Sequence, residues 1–193
     1  KPTSVGIDGG QIYTGTTAGG PGFQTYRSAA YANVLFVRVN DGVAGVVAGI
    51  YTDIVFSVGV WKHIVVTVDR TSKLIKAYAN GVVSAVSASI ATITGPISPD
   101  STYPSVIGAG VLANDLENGS MSRVGYGFGT LPTTAEIAEL YNQGNGKYYA
   151  ELSPALAAKV THYWNLNEAS GNAIDAKGVN DGTDTNTVLA GAG

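Results

Sequence analysis

Three groups of residues in this 193-residue sequence are of types that could do chemistry. The first is His63 with Asp69, in "WKHIVVTVDRTSKLIKAYANG" (61–81). Histidine moves protons near neutral pH, and with an orienting acid and a nucleophile it makes a hydrolytic triad. No serine stands in a G-x-S-x-G elbow here, and the second histidine, His162, is far along the chain. His63 is therefore expected to be strand framework, with Asp69 a turn residue and Asn80-Gly81 purely conformational. The second group is acidic. Glycoside hydrolysis uses two carboxylates, which on a strand would read as E-x-D-x-E, and that pattern is absent. Asp115 and Glu117 have an i, i+2 spacing but sit in "NDLENG", which reads as a solvated loop. Glu136 and Glu139 fall in a helical pattern and are expected to be a cap and a surface residue.

The third group is oxygen-rich. "DAKGVNDGTDTN" offers Asp175, Asn180, Asp181 and Asp184, hard ligands of the kind calcium draws from loops. The order is not that of an EF-hand, and such turns also form without metal. Sugars need exposed aromatic platforms with polar groups beside them. Tyr13, Tyr26, Tyr31, Tyr51 and Tyr103 lie in or beside turns and are the candidates, whereas Trp61 and Trp164 are expected in the core. "GYGFGT" (125–130) lacks the Lys-Ser/Thr ending of a phosphate-binding loop and is not read as one.

Composition narrows the partners. There is no cysteine, so a disulfide framework, a thiolate metal site and a cysteine nucleophile are all excluded. Net charge is -3 and the basic residues are scattered, which gives no footprint for a phosphate backbone; nucleic acid is not expected. No apolar run has the length of a membrane span, and "KPTSVGIDGG" has no signal-peptide pattern. Lacking an initiator Met, the sequence reads either as a piece or processed form of a longer chain or as a chain trimmed of its Met.

The elements that must position these residues are mostly strands. "VLFVRV" (34–39) and "VAGVVAGIY" (43–51) flank Asn40-Asp41-Gly42 and predict a hairpin. In the quoted stretch Ile64, Val66 and Val68 share one face, and Ile75, Ala77 and Ala79 alternate with Leu74, Lys76 and Tyr78. With "VVSAVSA" after Asn80-Gly81, this predicts a three-strand meander. Shorter strands are expected in "SVIGAGVL", "SMSRVGYGF" and "THYWNLN". Thr133 with Glu136 has the form of a capping box before Ile137, Leu140 and Tyr141, with Gly144 as the stop. Ser153-Pro154 predicts a second short helix.

The ordered set Trp61, His63, Asp69, Tyr78 and Asn80-Gly81 resembles the central hairpin of laminin-G-like domains, in the concanavalin A-like jelly-roll superfamily. "LPTTAEIAELYNQGNG" is similar to the helical segment that closes many such domains in phage and bacterial surface proteins. "YWNLNEASGNAIDAKGVNDGT" is similar to the segment that opens one, although here it comes last. The resemblance implies an all-β antiparallel jelly-roll sandwich over 1–150 with one or two short helices near the C-terminus. Residues 151–193 are expected to be a short helix, a strand and a turn-rich tail, and because a lone strand carrying Trp164 and Leu166 buries too little to hold together, segment 160–166 is expected to dock on the sandwich or a neighbouring subunit. It also implies calcium near Asp175, although relatives carry an acidic pair where Ser122 and Arg123 stand here.

The function expected is that of a non-enzymatic structural or interaction module of an extracellular assembly, such as a phage capsid decoration or tail component. Its partners would be other subunits or copies of itself, on a virion or cell surface, with no cofactor. A glycan-binding lectin-like module, with or without calcium, is the alternative, and a glycanase on the same fold is the third.

Overall fold

A computed structural model of the chain describes residues 9–13, 21–43, 47–97, 106–108, 119–178 and 180–184, with the backbone alone for 9–13 and 47. It divides into two compact units, Lys1–Ser120 and Met121–Gly193. The sequence reading drew its boundary after residue 150. The contacts draw it earlier, because the helix after Met121 packs with the segment behind it.

In the first unit, strands β1 (Gly9–Tyr13), β2 (Pro21–Ser28), β3 (Val34–Asp41), β4 (Val47–Val55) and β8 (Val106–Ile107) form one sheet in the order β4-β3-β2-β1-β8. Strands β5 (Ile64–Asp69), β6 (Leu74–Ala79) and β7 (Val82–Ser89) form a second sheet as a meander. All pairings are antiparallel, so the all-β sandwich expected from the sequence is what forms. Period-two alternation sets the two faces of each strand. Leu35, Val37 and Val39 of β3 and Ala48, Ile50 and Ile54 of β4 point inward and meet Ile75 and Ala77 of β6. Ile64, Val66 and Val68 of β5 pack against the same cluster. Each large aliphatic side chain buried this way contributes about 1.5–3 kcal/mol.

The turns are built by their own side chains. Asn80 and Gly81 both have positive φ (52° and 80°), as a two-residue hairpin turn requires. Asp69 accepts from the Thr71 and Ser72 amides and the Ser72 hydroxyl, and so closes the β5–β6 turn. Buried Asp41, at the end of β3, accepts from the amides of Val43, Thr94 and Gly95. These backbone donors, Gly95 foremost, hold its carboxyl below the usual range despite burial, and they tie residues 94–95 to β3.

Trp61 departs from expectation. It is 52% exposed, in a non-strand segment before β5 that also exposes Val58 and Val60. Strand alternation begins only at Ile64, so nothing turns Trp61 inward.

In the second unit β9 (Val124–Tyr126) pairs antiparallel with β10 (His162–Trp164). Residues 162–164, within the segment expected to dock on the sandwich or a neighbour, pair instead with a strand of their own unit. Helix α1 (Thr134–Tyr141) has the complete capping box of Thr133 and Glu136. It stops at Asn142, in the left-handed region, two residues before the Gly144 expected to end it. Helix α2 (Pro154–Ala157) is capped by Ser153. Leu140 of α1 packs against Leu152, Leu156 and Tyr163.

Glu139 is no surface residue: it accepts from the Ser153 amide and hydroxyl and from Lys147 Nζ, and so joins α1 to α2. Glu136 also bonds Lys159 Nζ at 2.6 Å, which with the cap lowers its carboxyl to about 2.

Candidate functional site

The outward positions of the larger sheet are Gln24, Tyr26 and Ser28 on β2, Val34, Phe36 and Arg38 on β3, and Gly49, Tyr51, Asp53 and Val55 on β4. They alternate with the core positions described above. Register places Tyr26, Phe36 and Tyr51 side by side across the three strands. Their rings touch in series, Tyr26 to Phe36 at 4.8 Å and Phe36 to Tyr51 at 4.5 Å between centroids.

Tyr31 extends the row, its ring stacked on Tyr51 at 3.9 Å and 30°. It is carried by the turn between β2 and β3, where Ala32 and Asn33 have positive φ. That turn is held from three sides: Val34 N donates to Tyr31 O, Phe56 N donates to Asn33 O, and fully buried Arg27 donates to Asn33 Oδ1. Tyr31 and Tyr51 are 55% and 38% exposed. The result is a continuous aromatic strip on a rigid support, with Gln24 and Arg38 in the next row.

Of the five tyrosines singled out in the sequence, the structure brings Tyr26, Tyr31 and Tyr51 together. Tyr13 has its backbone opposite Gln24 in β1, and Tyr103 lies outside the described residues. Phe36, the middle of the strip, and Arg38 were missed, although the alternation of "VLFVRV" could have put both on one face. Asp53, at the Tyr31 end, accepts from the Ser84 hydroxyl at 2.5 Å and the Ala85 amide, which lower its carboxyl.

The residues expected to hold calcium are arranged for another purpose. Asp175 is buried; Oδ1 accepts from the amides of Tyr163, Lys177 and Gly178, and Oδ2 from the Asn180 amide and His162 Nδ1 at 2.6 Å. Burial alone would raise this carboxyl, but His162 and the amides outweigh it and hold it well below its usual range. Asp181 Oδ1 accepts from the Asp175 amide, and the Asn180 carbonyl accepts from Trp164 Nε1. Asp184 meets this loop through its amide, which donates to Asn172.

This is a clasp of hydrogen bonds. A cation would have to displace the donors already on Asp175, so this carboxylate is taken up by the loop itself. No group of three or more His, Cys, Asp or Glu among the described residues could hold a metal ion. Arg123, where an acid was expected, lies over the Tyr148 ring at 4.2 Å. Trp164 is buried as expected. Asp115 and Glu117 lie outside the described residues.

A family model described as the concanavalin A-like lectin/glucanases superfamily, laminin-G type, matches residues 1–138. The chain belongs to this superfamily. Its laminin-G-like region takes in the whole first unit and runs on through β9 into α1. No curated protein and no solved structure matches the chain.

Within the laminin-G-like hairpin, His63 and Asn80 bracket one another. The His63 amide donates to Asn80 Oδ1, and the Asn80 amide donates to the His63 carbonyl. Burial depresses the imidazole to about 4, so it is neutral at physiological pH. An unfolded histidine titrates near 6.5. Between about 4 and 6.5 the unfolded chain therefore binds the extra proton, and stability falls as pH is lowered through that window. Urea titrations from pH 7 to 4 should lose up to about 3 kcal/mol in the wild type, and His63→Gln should flatten that slope. A slope unchanged by the substitution would remove His63 as its source.

Proposed function

We infer that the first unit is a non-catalytic carbohydrate-binding module, with the strip Tyr26–Phe36–Tyr51–Tyr31 as its platform. The observation that carries this reading is the strip itself. Four rings lie in one row on an outer sheet face, and two of them are exposed. The apolar face of a pyranose stacks on such rings, while neighbouring amide and guanidinium groups take its hydroxyls. Across β2, β3 and β4 that face carries one carboxylate, Asp53, whereas two-carboxylate hydrolysis needs a pair. This favours binding over cleavage.

Tyr51→Ala removes the ring on which both Tyr31 and Phe36 lean. It should weaken binding of the best oligosaccharide on a glycan array about tenfold or more, with the circular dichroism spectrum unchanged. Equal affinity in the variant would rule out the strip as the platform.

A second reading, a structural subunit of an extracellular assembly such as a phage virion, is supported by β7. That strand has no charged residue and exposes Val82, Val83 and Val86. Uncharged strands with exposed valines are templates for association. Silence across the array combined with concentration-dependent self-association would move the assignment to this reading.

A further inference from the structure

The geometry points to an acidic polysaccharide, one whose sugar units carry ring carboxylates, as the ligand of the aromatic strip, with Arg38 as the group that selects the charge. This inference rests on the carbohydrate-binding reading and narrows it. Arg38 lies on the same face of β3 as Phe36, two residues along, which puts its backbone about 7 Å further down the strand. It is half-buried, and its guanidinium makes no hydrogen bond or ion pair with any described residue. A guanidinium has five donors in a planar fork that matches a carboxylate.

Its surroundings leave that fork accessible. Gly49 stands opposite on β4 and contributes no side chain. A Cβ there would sit 2.9 Å from Phe36 Cζ, so the strip and the space beside Arg38 both depend on this glycine. Gln24 stands opposite on β2, an amide suited to a sugar hydroxyl. The carboxylate on the face, Asp53, lies at the far end of the strip and is already bonded to Ser84 and Ala85, so it does not neutralise Arg38. A uronic acid stacked on Phe36 and Tyr51 presents its exocyclic carboxylate within one sugar unit's reach of Arg38. The ring faces supply area, and the fork supplies the choice of acid over neutral sugar.

The test is calorimetric titration of the full chain with tetrameric galacturonate, glucuronate and mannuronate, each beside its carboxyl-reduced neutral counterpart, at low and high salt. The wild type should prefer one acid over its neutral counterpart about tenfold, and salt should shrink the preference. In Arg38→Gln the acid-to-neutral ratio should fall to about one. In Arg38→Lys, which keeps the charge without the fork, the ratio should lie between. Melting curves establish that each variant is folded, and the lysine variant alone suffices should the glutamine variant fail to fold. Equal affinity of the wild type for acid and neutral chains would overturn the inference and leave the carbohydrate reading standing. A preference that survives in both variants would remove Arg38 from the role. Absence of binding to every chain would sink both.

Discussion

Asp175→Ala should destabilise the unit beginning at Met121 by about 3–5 kcal/mol, because it leaves several buried donors without their common acceptor. The substitution deletes the acceptor for His162 and for the amides of Tyr163, Lys177, Gly178 and Asn180 together. A buried donor left without an acceptor loses its solvation and gains nothing in return. Gly178 sits so close that a Cβ would lie 2.5 Å from Asp175 Oδ2 and 2.8 Å from His162 Nδ1, so no larger side chain can move in to compensate.

Asp175→Asn should fall between, because its carboxamide can accept on one side but turns an NH2 group toward donors on the other. Urea denaturation gives the energy, and hydrogen exchange at the four amides locates it. Protection at those amides equal to wild type would contradict the clasp. The pH dependence is distinct from that of His63. The folded carboxyl titrates below its unfolded value near 3.8, so its contribution is complete above that value and declines only as pH drops further.

Gly127→Ala should be as damaging, for a steric reason. A Cβ at this position would lie far inside contact distance of the Lys159 carbonyl oxygen and close to the Val160 backbone. Both sides of the clash are main chain, so no rotamer relieves it. The close approach is fixed by bonds on either side: Thr161 N donates to Tyr126 O at 2.9 Å, and Phe128 N donates to Thr161 Oγ1. A loss above about 4 kcal/mol, or failure to accumulate folded protein, is expected.

Gly129→Ala is the matched control. Gly129 has φ +95° and nothing within 4 Å of a built Cβ, so only the conformational cost of about 1 kcal/mol applies. Urea midpoints for the two variants should differ widely. Equal midpoints would mean that β9 can shift away from residues 159–161, and that the approach is not required.

How much of this could be read from the chain depended on range. The capping box at Thr133 and Glu136, the Ser153 cap and the Asn80-Gly81 turn are settled by residues within four positions of each other, and each was legible. The aromatic strip is settled by lateral register. Tyr26, Phe36 and Tyr51 meet only because β2, β3 and β4 pair with those residues opposite, which no local pattern specifies. Trp61 was misplaced because an aromatic next to a strand looks the same whether or not it is within the alternation.

Asp175 was read as a possible metal ligand for a related reason. A carboxylate among Asn and Gly looks alike whether it faces a cation or amides, and the partners that decide it, His162 and Tyr163, lie 13 and 12 residues upstream.

The pairing of β9 with β10 joins segments separated by both helices. During synthesis Val124 and Tyr126 are made well before His162 and Trp164, and the loop that seals His162 follows later still. The unit therefore cannot close progressively as it is made. Once β9 has left the ribosome, and until its partner strand follows, it is a translation intermediate with bare edges, open to chaperones and proteases.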